Sequence, residues 1–108
     1  MDADRTAIDA LVATFFSAFT NTNGAAPTIR VLHDLFIPEG VIVKAVGAQP
    51  EFYSLRSFIE PRERLLTDGT LTDFQEHEVH HRTTITGNIA QRYSEYNKSG
   101  VLSGQRFE

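Results

Sequence analysis

Apolar positions over the first twenty residues recur at helical spacing. Ile8, Leu11, Val12, Phe15, Phe16 and Phe19 form one broad stripe, which predicts an amphipathic helix. Asp4 is placed to cap its start, and Asn21 to Gly24 supplies the stop. Phenylalanines on such a stripe serve a core, and some of these rings are also placed to line a cavity. Pro27-Thr28 opens a second, shorter helix carrying Ile29, Leu32, Leu35 and Phe36, ended by Pro38-Glu39-Gly40. Val41 to Val46 reads as a short apolar strand closed by Gly47, with residues 48 to 53 as a loop. Ser54 caps a third helix containing Leu55, Phe58, Ile59, Leu65 and Leu66. Pro61 falls inside that pattern and predicts a kink or a division into two pieces, and Asp68-Gly69 ends the helix.

The pattern then changes period. Strands are expected at 72–86, 89–97 and 101–107, with turns at Gly87-Asn88 and at Asn97-Lys98-Ser99-Gly100. Helix, helix, strand, helix and three further strands predict an α+β domain, with helices on one face of a curved, mostly antiparallel sheet. At 108 residues the chain holds one domain, residues 1–108, with one core.

Inside the first long strand, His77-Glu78-Val79-His80-His81 matches H-E-x-x-H, a zinc-protease motif. The motif chelates only on a helix, where residues four apart lie one turn above each other. On a strand the same histidines stand roughly 13 Å apart. Thr83, Thr84, Ile85 and Thr86 follow, a β-branched run that suits a strand. A third ligand is also wanting, since only Glu95 and Glu108 lie downstream. No metal and no cofactor are expected.

A two-residue turn at Gly87-Asn88 fixes cross-strand partners by arithmetic. His81 faces Ser94, Thr83 faces Arg92, Val79 faces Tyr96 and Ile85 faces Ala90 on one side. Arg82 faces Tyr93, His80 faces Glu95 and Thr84 faces Gln91 on the other. The first set is the more apolar and is assigned to the helix-covered side, where His77 also falls. A bulge between 76 and 81 would exchange the two sides for part of the strand. The expected ligand pocket is therefore Phe16, Phe19, Phe58, His77, His81, Arg92 and Tyr96. His81 is the candidate acid or base, and Arg92 the candidate anchor for a carboxylate or enolate oxygen. The same residues also read as hydrogen-bonded sheet positions without chemistry. Glu76, Glu78, His80, Arg82, Gln91, Tyr93 and Glu95 form the opposite face, assigned to contact with a second copy or to solvent.

Composition narrows the classes. A formal charge of −4 without a Lys/Arg cluster excludes a phosphate track, so no nucleic-acid partner is expected. The absence of cysteine removes disulfides and thiolate chemistry, as expected in a reducing compartment. The acidic start Met1-Asp2-Ala3-Asp4-Arg5 is unlike a signal peptide, and no apolar run spans a bilayer. A cytoplasmic location follows as the expectation, with no membrane partner.

Three segments carry a resemblance. They are Phe15-Phe16-Ser17-Ala18-Phe19, Leu35-Phe36-Ile37-Pro38-Glu39-Gly40-Val41-Ile42-Val43, and Thr86-Gly87-Asn88-Ile89-Ala90-Gln91-Arg92. With the element order they resemble the nuclear transport factor two-like superfamily, which includes ketosteroid isomerases and SnoaL-like polyketide cyclases. The resemblance implies a cone, formed by a sheet wrapped around the long helix, with a small hydrophobic ligand entering its open end. It also implies acid–base work on a carbonyl compound, such as isomerisation, cyclisation or dehydration. Ketosteroid isomerases place an aspartate base just beyond the first strand; here Lys44 stands at or next to that position. Members of the superfamily continue into a further strand, so the resemblance implies either a C-terminally incomplete domain, the favoured reading because an open edge is an aggregation liability, or a partner subunit over the unfinished sheet edge. Two functions fit: a small-molecule-binding domain, catalytic or not, and a non-catalytic homodimeric module.

Overall fold

A computed structural model describes residues 2–108. Three α-helices and five strands follow the order α1 (Asp2–Ser17), α2 (Leu32–Leu35), β1 (Val41–Lys44), β2 (Glu51–Ser54), α3 (Leu55–Thr67), β3 (Leu71–Thr86), β4 (Ile89–Leu102) and β5 (Gln105–Phe107). The class is α+β. The strands make two antiparallel sheets where one was expected: a β1–β2 hairpin, and a three-stranded sheet in the order β3-β4-β5. The molecule is elongated, 46 × 29 × 26 Å. No helix among the described residues is long and apolar enough to cross a membrane.

Several elements correct the sequence reading. Helix α1 stops at Ser17, so Phe19 lies beyond it, and Asp4 sits within the first turn instead of capping it. A carboxylate is favoured there by the helix dipole. The second helix is a 3₁₀ turn, Ile29–Val31, running into the single turn of α2. Residues 51–53, read as loop, pair together with the capping Ser54 against Val41–Lys44 as a strand. Four residues are too few for alternation to show. Helix α3 passes unbroken through Pro61, capped by Ser54, whose hydroxyl accepts from the Ser57 N–H at 3.1 Å. The hydrogen bond that Pro61 cannot donate is one loss against the burial of Ile59 and Leu66.

The largest correction concerns glycine. Asn97 to Gly100 forms no turn; it pairs with β3 and with Phe107 inside a continuous β4. Gly100 serves close packing, because a Cβ there would lie 3.1 Å from the Phe74 ring and 3.3 Å from that of Phe107. The true turn is Ser103-Gly104, with φ of 50° and 85°. Two left-handed central residues define the hairpin turn whose twist matches its strands.

The core gathers Ala18, Phe19, Ile29, Leu32, Ile59, Leu66 and Phe74, drawn from the helices and the start of β3. Buried Asn21 ties these pieces together. Its amide donates to the carbonyls of Leu66 at 3.0 Å and Leu71 at 2.8 Å, and its Oδ1 accepts from the Phe74 N–H at 2.8 Å.

Register along β3–β4 matches the arithmetic from Thr86↔Ile89 to His80↔Glu95. Beyond that a bulge intervenes. Glu78, not Val79, pairs with Tyr96; His77 pairs with Asn97 and Glu76 with Lys98. Val79 is the extra residue, and it is 53% exposed. A second bulge lies between Thr72 and Gln75, where Asp73 takes a φ of 50°.

Candidate functional site

The bulge moves side chains between faces. Upstream of it, Phe74, Glu76 and Glu78 share the helix-covered side; downstream, His81, Thr83 and Ile85 do. His77 thereby leaves that side and joins His80 and Arg82 on the bare one. His77 and His81 end on opposite faces of an extended strand. Among the described residues, no group of three or more His, Asp or Glu comes together in a way that could hold an ion.

Arg92 is the hub of the covered side. Its Nε and Nη2 donate to the two Glu78 oxygens at 3.1 and 2.6 Å. Nη1 donates to Asp9 Oδ1 on α1 at 2.6 Å and to Thr83 Oγ1 at 2.9 Å. Four of its five N–H groups are thus engaged within the protein. The Arg92 and Glu78 side chains are 11% and 14% exposed. Hydrogen bonds from Arg92, and from the Ser94 hydroxyl, hold the Glu78 carboxyl below the usual carboxylate range against the opposing effect of burial; the charges of Arg92 and His81 add to it. This geometry fastens α1 to the sheet and leaves Arg92 little capacity for a ligand. His81 is exposed beside it.

Further along the same side lies Glu76, which sequence reasoning put on the opposite face. It is half-buried, and no described residue donates a hydrogen bond to its carboxylate or forms an ion pair with it. Desolvation pushes its carboxyl above the usual range, with the charges of Lys98 and Arg62 working weakly the other way. Every fully buried polar side-chain atom among the described residues has a partner, so the Glu76 oxygens reach solvent. Of the aromatic residues expected to line a pocket, Phe19 is part of the buried core. Phe16 lies 5.2 Å from Tyr96, and Phe19 lies 6.2 Å from Phe58, measured between ring centroids. Tyr96 is 49% exposed although it faces the helices. Tyr96 and Lys98, both exposed, share this side of the sheet, with Lys98 directly across from Glu76. The one sequence signal for Glu76 was the possible bulge.

Two open depressions lie elsewhere. One, of about 360 Å³, is on the bare face and is lined by His80, Arg82, Thr84, Gln91, Tyr93 and Glu95. It contains five of the residues expected to contact a second copy; Glu76 and Glu78 have moved to the other side. The second, of about 630 Å³, lies where Asn21, Thr67, Thr72 and Asp73 meet. The Asn21 carboxamide there is already spent on the backbone. Lys44 is far from this chemistry in sequence pairing, opposite Glu51 in the small hairpin and exposed.

Comparison with protein-family models, with curated proteins and with solved structures returns no match to this chain.

Proposed function

We propose that this chain is a small-molecule-binding domain of the nuclear transport factor two-like kind, with its ligand site in a cleft over Glu76 on the helix-covered side of the sheet. The observation that carries the reading is an unpaired, half-buried carboxylate, raised by burial and open to solvent, on the sheet face where Phe16 packs on Tyr96. A carboxyl raised in this way is a stronger proton acceptor than a surface one. If a reaction follows binding, Glu76 takes the acid–base role that sequence arithmetic gave to His81, acting on a hydrophobic carbonyl compound. Phe16, Phe58 and Tyr96 supply the apolar walls. A thermal-shift screen of hydrophobic carbonyl compounds tests this. A hit whose stabilisation is lost in Glu76→Gln supports the site, whereas hits indifferent to Glu76→Gln and Tyr96→Phe remove it.

A second reading, a homodimer through the bare face of β3–β4, has its own support. The accessible surface is 7702 Å². Surface scales with mass so that a 12.1 kDa monomer exposes roughly 6,000 Å². The excess of roughly 1,700 Å² exceeds the share that one partner buries in a standard interface, about 800 Å². Ile89 and Tyr93, 70% and 55% exposed, lie on that face. Light scattering checks it: a monomer at high concentration, or a dimer unchanged by Tyr93→Glu, counts against this face.

A further inference from the structure

Arg62 on α3 is half-buried, yet no carboxylate among the described residues forms an ion pair with it. Its guanidinium carbon sits 3.7 Å from the Phe58 ring centroid and 5.2 Å from that of Tyr53. One hydrogen bond, from Nη1 to the Phe58 carbonyl at 3.1 Å, is its sole polar partner among the described residues. A guanidinium has five N–H donors, so four remain without a protein acceptor. Stacking on Phe58 fixes the plane of the group and leaves its edge presented. A planar fork held in this way matches the two oxygens of a carboxylate. Arg92, four-fifths engaged, offers the contrast within the same sheet-and-helix layer.

Lys98 repeats the pattern. It stands directly across from Glu76 in the β3–β4 ladder, is exposed, and forms no ion pair among the described residues. Both cations are felt at Glu76. Two positive groups thus stand against one carboxylate in a chain whose net charge is −4. Aromatic rings are their neighbours: Arg62 lies against Phe58 and Tyr53, and Phe16 packs on Tyr96 on the Glu76 side of the sheet.

We infer that the ligand of this cleft is an organic anion, an apolar or aromatic body bearing a carboxylate or enolate oxygen, with Arg62 as its anchor and Lys98 as a second cation. The inference rests on the reading of the cleft as a ligand site.

Titration with 2-naphthoate and with its neutral relative 2-acetylnaphthalene, followed by amide chemical shifts in the full chain, tests this. The naphthoate is expected to move the amides of Phe58, Arg62, Glu76, Tyr96 and Lys98, and to bind about tenfold or more tightly than the neutral ketone. Arg62→Met should reduce naphthoate to the affinity of the ketone while leaving the ketone unchanged. Arg30→Met, which breaks only the exposed pair with Glu63, should change neither. Arg62→Lys and Lys98→Met carry the same test, with partial losses, if Arg62→Met fails to fold. Equal binding of both probes at these amides, indifferent to Arg62, overturns the anion reading and leaves the ligand site standing. Shifts from neither probe at these amides overturn both.

Discussion

Asn21 and Phe74 grip each other twice: the Phe74 N–H donates to Asn21 Oδ1 at 2.8 Å, and the Asn21 N–H donates to the Phe74 carbonyl at 3.1 Å. A residue in the segment that follows α1 thereby fixes where β3 enters the core. Asn21→Ala removes three side-chain hydrogen bonds, two to carbonyls and one from an N–H, at a mostly buried position. A loss of about 2–4 kcal/mol is expected in urea unfolding. A change within experimental error would show that the loop packs without this clamp.

Gly100 faces the rings of Phe74 and Phe107. Gly100→Ala should cost about 1–3 kcal/mol through overpacking, even though alanine suits a strand better than glycine does. Gly47→Ala, with open space around its Cα, is the matched control and should be near neutral. Equal melting temperatures for the two variants would contradict the packing role.

Glu78 carries acid sensitivity. Its carboxyl is lowered chiefly by the Arg92 hydrogen bonds, so its stabilising effect is complete above the ordinary carboxylate range and is lost as pH falls through its folded value. Glu78→Gln should cost about 1–2 kcal/mol at neutral pH. The difference from wild type should shrink on acidification. A gap that stays constant from neutral to strongly acid pH would exclude the ion pair as its source.

Glu76 has the opposite sign. Its carboxyl is raised by burial, so protonation favours the folded state, and stability declines as pH rises from the ordinary carboxylate range through the folded value. Glu76→Gln should therefore be more stable than wild type at neutral pH and indistinguishable from it in acid. Unfolding curves at the two pH values decide the matter, and a destabilised Glu76→Gln at neutral pH would mean that the carboxylate has a partner after all.

The sequence was readable where a pattern is long or a residue has one use. The stripe from Ile8 to Phe16 gave α1, the Ser54 hydroxyl gave the cap of α3, and Gly87-Asn88 gave both the hairpin and its register as far as His80. The strand nature of His77 to His81 followed from the β-branched residues after it. What failed had short-range ambiguity. Glycine marks a turn and a close approach with the same letter, so Gly100 was read as the first when Gly104 holds that place. Glu51–Ser54 is a strand because Val41–Lys44 lies beside it, which no local pattern records. Arg92 was identified as a site residue by its place in the ladder, but its partners Asp9 and Glu78 come from a distant helix and from a bulged strand. Arg62 was passed over because its significance lies in an absent carboxylate.

Counting explains why Val79 is there. Even-numbered Phe74 and odd-numbered Ile85 look towards the same layer of helices, which an uninterrupted strand forbids. One surplus residue reverses the parity midway, letting a greasy anchor and a charged platform be built from the same ribbon. Val79 thus contributes through its presence more than its side chain: exchange for threonine should pass unnoticed, whereas deletion would force one half of the ribbon to turn itself inside out.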